Sequence, residues 1–306
     1  MKLNFLSKTL PAFGLNVSGS SFKIVQMEKG AHGLSIKSYS SASLPKGLIV
    51  NDAISDQKTF SYLLKTALQQ PHYGKITSNY VIASLPESKS FVRVIQIPQM
   101  SMAEAENAVP YEAESFIPLP IDQVYLDWQK IGDTGDKMNV LIVAAPKDFV
   151  DKYLDILDKA ALRPLAFEVE SQSAHRVLAQ SPGSENMLLI NIGSTRTSMI
   201  MIEDRNLQFT STVPIAGNAF TESIARALGV SSSKAEEIKK KVGIANTVEY
   251  PNITTSLLPV LNNLTAEIKN ILKFHAEHSQ KQVSRIIIMG GTAGLQNLAE
   301  FLGQQL

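Results

Sequence analysis

The 306-residue sequence predicts a duplicated, two-lobed α/β fold with a small α+β module inserted in its first lobe. Three observations point there. Runs such as 187–192 and 286–289 are short, apolar and rich in β-branched residues, as strands buried inside a sheet are. A strand, a small polar turn and a second strand occur at 14–25 and again at 190–202. Between the two copies, from Phe91, a separate pattern of strand, helix and two strands interrupts the first.

Residues 13–17, 21–28 and 34–41 read as an antiparallel meander, punctuated by Ser18-Gly19-Ser20 and Lys29-Gly30. Phe60, Leu63, Leu64, Ala67 and Leu68 fall at helical spacing within 56–70, and a strand follows at 80–85. The inserted block opens with a strand ending at Pro98. Its helix starts at Ser101, with Glu104 three residues on as a capping box, and Pro110 should kink or end it. Strands at 124–131 and 139–145 and a helix at 147–161 close the block, and a strand at 164–169 resumes the larger sheet. After a linker, Ser181-Pro182-Gly183-Ser184, come strands at 187–192, 198–203 and 207–213 and helices at 220–228 and 233–242. A long helix follows, in which Leu257, Leu261, Leu264, Ile268 and Ile271 step by four and three, the spacing of a core-facing stripe. The strand 286–289, Gly290-Gly291 and a short helix end the chain. The resulting domain plan is 1–86 with 164–183 for the first lobe, 87–163 for the insert, 184–217 with 270–306 for the second-lobe core, and 218–269 for its helical part.

Composition narrows the function. Twenty-nine basic and 28 acidic side chains leave a net charge of +1, too little basic excess for nucleic acid to be the main partner. With no cysteine, thiol catalysis, disulfides and thiolate metal sites are excluded. No run approaches the ~20 apolar residues of a membrane span, and 1–11 lacks a signal-peptide core, so a cytoplasmic protein is expected.

Two turns carry the chemistry. Ser18, Gly19, Ser20 and Ser21 precede Lys23, and Gly193, Ser194, Thr195 and Thr197 surround Arg196. Both offer N–H groups and hydroxyls to anionic oxygens, as a polyphosphate requires; taken alone, either reads more readily as a plain hairpin turn. A third element, Ile288-Met289-Gly290-Gly291-Thr292, ends an apolar strand in two glycines, which lets backbone approach a flat ligand. Glu236 and Lys239 share one helix face, as ligand contacts or as a solvated ion pair. His275 and His278 are three apart without a third ligand and read as surface residues. No Ser, His and Asp arrangement suggests acyl transfer.

In their order, these segments resemble the nucleotide site of the actin, sugar-kinase and FtsA superfamily, whose lobes have a duplicated ribonuclease H-like fold. Residues 14–28 are similar to its first phosphate loop, 190–197 to the second and 288–292 to the adenosine loop. The insert is the more specific signal. Ile97-Pro98 to Ser101, Tyr111-Glu112 to Pro118, Leu126-Asp127-Trp128 and Val143 to Lys147 resemble the inserted subdomain of the PilM family almost throughout. Residues 215–221 and 235–239 fit as well, Glu236 and Lys239 resembling the ribose-contacting pair. The resemblance implies an actin-like fold and a cytoplasmic type IV pilus scaffold recruited to the inner face of the inner membrane.

What the family implies of ligands and partners follows from the same residues. ATP or ADP would meet Asn16, Ser18, Gly19, Ser20, Ser21, Lys23, Asn191, Gly193, Ser194, Thr195, Thr197, Gly217, Glu236, Lys239, Gly290, Gly291 and Thr292. Mg²⁺ would be held through water by Asn16 and Asn191. Both positions normally carry aspartate, and a neutral amide gives a hard cation less of what it needs, so ATPase activity is expected to be absent or very weak. Gln172 is the one candidate for orienting water. The implied partner is the N-terminal peptide of a PilN-like membrane protein, held near the junction of the first lobe and the insert, whose Pro86 and Pro98 edges suit a groove. Other pilus platform proteins and homo-oligomers are implied too. Family members usually continue past the adenosine loop with another strand and a helix. The alternatives are an FtsA-like nucleotide-hydrolysing filament protein, and a sugar or acetate kinase, which needs a carboxylate base in a substrate cleft.

Overall fold

The computed structural model describes residues 10–30, 33–179 and 185–306; the linker expected at 181–184 and residues 1–9 lie outside this range. In chain order the main elements are β1 (Ala12–Val17), β2 (Ser21–Gly30), β3 (Gly33–Ser43), β4 (Ile49–Val50), β5 (Ala53–Ile54), α1 (Gln57–Gln69), β6 (Tyr73–Gly74), β7 (Tyr80–Leu85), β8 (Phe91–Pro98), α2 (Met102–Glu114), β9 (Val124–Thr134), β10 (Lys137–Pro146), α3 (Lys147–Lys159), β11 (Arg163–Val169), α4 (Glu170–Leu178), β12 (Met187–Ile192), β13 (Thr197–Glu203), β14 (Asn206–Val213), α5 (Gly217–Leu228), α6 (Ser232–Val242), α7 (Ile253–His278), β15 (Arg285–Met289) and α8 (Leu298–Gln305). They form two compact units, residues 1–89 with 145–170 and residues 90–144 with 171–306.

The first unit is built on a six-stranded sheet of order β11-β7-β1-β2-β3-β6. β1 is antiparallel to β2 and parallel to β7, which is parallel to β11. Alternation along β1 and β2 sends Phe13, Leu15, Val17, Phe22 and Ile24 to one face, where they pack on Phe60 and Leu64 of α1. Asp56 caps α1, its Oδ1 accepting from the N–H groups of Lys58 and Thr59 at 2.9 and 3.1 Å. α3, which the sequence reading places at the close of the insert, buries Phe149, Val150, Tyr153, Ile156 and Leu157 in this same core.

The second unit has a seven-stranded sheet of order β15-β12-β13-β14-β8-β10-β9. Its β12 is antiparallel to β13 and parallel to β15, repeating the arrangement of β1, β2 and β7. This repetition is the duplication expected from the sequence. β12 and β13 are buried along nearly their whole length, which explains the apolar runs 187–190 and 199–202. The core on one side of these strands is completed by Phe220 and Ile224 of α5 and by Leu257, Leu261, Leu264 and Ile268 of α7. The strands of the insert join the same sheet where β8 meets β14, with Arg93 opposite Phe209. Pro110 does not end α2, which runs on to Glu114. The buried stripe Ala105, Val109 and Ala113 continues across it, and packing of that stripe offsets the lost backbone bond.

Candidate nucleotide site

The polar turns follow β1 in the first unit and β12 in the second. In the first unit, 18–21 is a tight hairpin turn: the Ser18 N–H donates to the Ser21 carbonyl at 2.8 Å and the Ser18 hydroxyl to the same oxygen at 2.9 Å. Gly19 and Ser20 form its tip. Asn16 and Lys23 are cross-strand partners on the sheet face opposite Phe13 and Leu15.

The Asn16 side chain has a neighbour that sequence reasoning missed. Its Nδ2 donates to Ser84 Oγ at 2.8 Å and to Glu170 Oε1 at 2.9 Å. Burial pushes the Glu170 carboxyl above its usual range; the Asn16 hydrogen bond opposes this, the Asp52 charge adds to it, and Lys23 draws it back. A neutral amide at position 16 therefore suits a carboxylate already present at 170. The available signal was positional: Glu170 directly follows β11, and the carboxyl ends of parallel strands are where such sheets bind ligands. Gln172 lies half-buried on α4 two residues later.

In the second unit the expected segments converge. The turn after β12 closes with the Gly193 N–H donating to the Arg196 carbonyl at 3.0 Å. Its carbonyls face inward: that of Gly193 accepts from the Gly217 N–H at 3.0 Å and from Thr292 Oγ1 at 2.9 Å, and that of Ser194 accepts from the Asn218 N–H at 2.8 Å. The Thr292 N–H reaches the Ile192 carbonyl at 3.0 Å. These bonds gather 192–194, the start of α5 and Thr292 into one assembly. Two glycines permit it. A Cβ on Gly217 would come within 2.6 Å of Thr292 Oγ1, and one on Gly290, at φ +94°, within 2.5 Å of Asn191 Oδ1 and 2.6 Å of the Ile192 carbonyl. At Gly291, by contrast, a Cβ would meet nothing within 4 Å, so that side is open to a ligand.

Glu236 and Lys239 belong to this assembly. Lys239 is buried, not on a solvated face: its Nζ donates to the Gly217 carbonyl and to Thr221 Oγ1, both at 2.9 Å, and sits 2.7 Å from Glu236 Oε2. Partial burial works against the Glu236 carboxylate, but hydrogen bonds from Lys239 and Thr221 outweigh it and hold its pKa below the ordinary value. Thr197 is committed elsewhere, its hydroxyl donating to the Ile215 carbonyl at 2.5 Å. Thr195 stays exposed at the turn. His275, expected at the surface, is buried and pairs with Glu203 at 2.8 Å, because the last turns of α7 pack beside the end of β13.

One atom tests whether this assembly fits an anionic ligand. Ser194 Oγ is buried and has no hydrogen-bond partner among the described residues. An orphaned hydroxyl costs about 1–3 kcal/mol, which an accepting oxygen of a ligand would recover. The Gly193 and Ser194 carbonyls of its turn are taken up inside the assembly, which leaves the Ser194 hydroxyl as a group that a phosphate oxygen could meet. Among the described residues no group of three or more His, Asp or Glu could hold a metal ion, and Asn191 brings an amide oxygen beside Gly290.

The sequence family described as type IV pilus assembly protein PilM matches residues 14–306. Cell division protein FtsA of Pseudomonas aeruginosa is 30% identical over 89 residues, 26% of this chain but only 21% of that protein's length. Among solved structures, the PilM–PilN type IV pilus biogenesis complex superposes with a TM-score of 0.82 at 28% identity, covering 97% of this chain and 86% of that one. MreB5 of Spiroplasma citri bound to AMPPNP gives a TM-score of 0.59 at 13% identity, over 97% and 89% of the two chains, a likeness of actin-like fold alone.

Proposed function

The chain belongs to the PilM family of type IV pilus assembly proteins, and from that membership we propose that it is a cytoplasmic scaffold of the pilus platform that binds ATP or ADP through its second unit. The observation that carries the nucleotide reading is the buried, unpartnered Ser194 hydroxyl in a turn tied to Gly217 and Thr292. The residues divide the work by chemistry. Ser194 and the turn N–H groups would face phosphate oxygens, Gly291 would leave room for the flat base, and the Glu236 carboxylate, held ionised, would accept from ribose hydroxyls. Lys239 positions Glu236 and the start of α5.

Mg²⁺, when present with the nucleotide, supplies charge neutralisation on the phosphates; in the second unit Asn191 would reach it only through water. This amide supplies no carboxylate, so binding without appreciable turnover is the expected state. The proposed partner is the N-terminal tail of a PilN-like membrane protein, and the fold shared with the PilM–PilN complex supports this. Recruitment to the inner face of the inner membrane would follow from that tail; among the described residues no helix is long and apolar enough to cross a membrane.

Calorimetry with a synthetic PilN-like tail tests the scaffold part. Micromolar affinity, abolished by polar substitution of the tail's apolar anchors, is the expected result. No binding, together with ATP hydrolysis at about 1 per second or faster, would favour the FtsA-like filament reading that the 89-residue FtsA match raises.

A further inference from the structure

The lysines of the first unit are not spread evenly around it. Residues 1–89 carry ten lysines, no arginine and four acidic side chains. The helices that cover one face of the sheet do not hold the excess. α1 and its cap bring Lys58, Lys65 and Asp56, and α3 sets three lysines against four aspartates, so that layer is balanced. The other face of the sheet is basic at one end, and there it also exposes apolar side chains that the core does not take up.

Alternation along β2 brings Lys23, Val25, Met27 and Lys29 to the side away from the buried Phe22 and Ile24. The ladder sets Ser41, Tyr39, Ile36 and Leu34 of β3 beside them in that order, and a register shift at Lys37 keeps Ile36 on the side of Tyr39. Tyr73 pairs with Tyr39 across the next ladder, the two rings stacked at 6.0 Å. Leu34 is 75% and Tyr73 56% exposed. Lys29 and Lys75 stand exposed at the rim. The Glu168 carboxylate lies on β11, at the opposite edge of the sheet.

A continuous exposed apolar surface with a charged rim marks an interaction site. Its composition separates two kinds of occupant. Protein interfaces favour arginine and tryptophan and are poor in lysine, whereas residues 1–89 contain neither arginine nor tryptophan. Lysine is a compact charge on a flexible stem that can lie along apolar material while its ammonium reaches a phosphate. Tyrosine satisfies both its ring and its hydroxyl at the depth of lipid headgroups.

We propose that the β2–β3–β6 end of this face is a membrane-contact surface, which seats by itself on the anionic headgroups of a bilayer. Lys29 and Lys75 meet headgroup phosphates, and Leu34, Ile36, Tyr39 and Tyr73 enter the interfacial layer. Apolar burial and attraction to anionic lipid act together in such binding, and two weak signals hold where one does not. The net charge of +1 conceals the surface, because acidic side chains elsewhere in the chain offset its lysines. The inference goes beyond recruitment by a membrane protein's tail and depends on neither that tail nor nucleotide.

Co-sedimentation of the full chain with lipid vesicles, in the absence of any tail peptide, tests it. The chain should bind phosphatidylcholine vesicles containing about one third phosphatidylglycerol, leave them in about 0.5 M salt, and ignore vesicles of phosphatidylcholine alone. Lys29→Gln with Lys75→Gln should weaken binding about 25-fold, or about fivefold per charge. Lys58→Gln with Lys65→Gln, the same loss at exposed positions of α1, should leave it unchanged. Leu34→Ser with Ile36→Ser should weaken it with every lysine in place. A parent that stays in the supernatant, equal binding to neutral vesicles, or equal losses from the two lysine pairs would overturn the proposal. So would loss of tail-peptide binding in the Leu34 variant, which would assign this face to a protein segment. A parent that binds the tail peptide and ignores every vesicle would sink the membrane contact and leave the scaffold reading standing.

Discussion

Lys239 donates to the Gly217 carbonyl at 2.9 Å, which ties α6 to the first residue of α5. The same Nζ also reaches Thr221 and Glu236, so one buried ammonium holds the two helices and the carboxylate that would face a ribose.

Lys239→Met keeps most of the stem but removes the charge, leaving Glu236 and the Gly217 carbonyl short of a donor. Leaving the buried Gly217 carbonyl without its donor costs about 1–3 kcal/mol. Urea unfolding should show an unfolding free energy lower by that amount at an unchanged m-value, and nucleotide affinity should fall with it. A midpoint within error of the parent would mean that Lys239 is not holding this assembly.

Gly290→Ala should be among the most damaging small substitutions in the second unit. The added methyl would meet the Ile192 carbonyl at 2.6 Å in a backbone region that L-residues avoid, at a cost of about 2 kcal/mol or more. Gly291→Ala, one residue on in open space, should be nearly silent in thermal melting. The pair of melts checks the geometry without any ligand, and equal losses from both would contradict it.

Glu236 gives a pH signature. Its folded pKa is depressed below the unfolded value of 4.5, so its contribution is fully present above about pH 4.5 and is lost as the pH falls through the folded value. Thr221→Val removes one of the bonds responsible. The stability gap between parent and variant should be constant from pH 6 to 8 and shrink in acid below about pH 4.5. A gap that widens in acid would reverse the assignment.

Asn16→Asp restores the residue expected in the first phosphate loop, but places a second carboxylate where the amide now donates to Glu170 at 2.9 Å. Without a divalent cation the variant should melt below the parent, because two carboxylates at hydrogen-bond distance repel. Added Mg²⁺ should raise its melting temperature and leave that of the parent unchanged. An equal response in both proteins would show that Glu170 and position 16 do not meet as described.

The strands were legible because each is a short run with its own period. β7 and β12 fall where their apolar residues place them, and the Ser101 and Glu104 box marks the start of α2. The gathering of Gly193, Gly217, Glu236, Lys239 and Thr292 was also legible, through the family resemblance of these segments. Relations that depend on distant pairing were not. Glu170 lies 154 positions from Asn16, and His275 lies 72 from Glu203, so no local period signals either contact. The burial of Lys239 was hidden for the same reason: Lys240 and Lys241 beside it are exposed, and only the packing of α6 on α5 separates them.

If the second unit binds an adenine nucleotide through the turn at Ser194, calorimetry with ATP and ADP should separate the parent from Ser194→Val. Binding to the parent and at least a tenfold loss in the valine variant, about 1.4 kcal/mol, are expected, since the hydroxyl would no longer meet a phosphate oxygen. The variant should fold as stably as the parent or better, because a buried unsatisfied group has been removed. Equal affinity in both proteins, or no heat from either nucleotide at millimolar concentration, would contradict it.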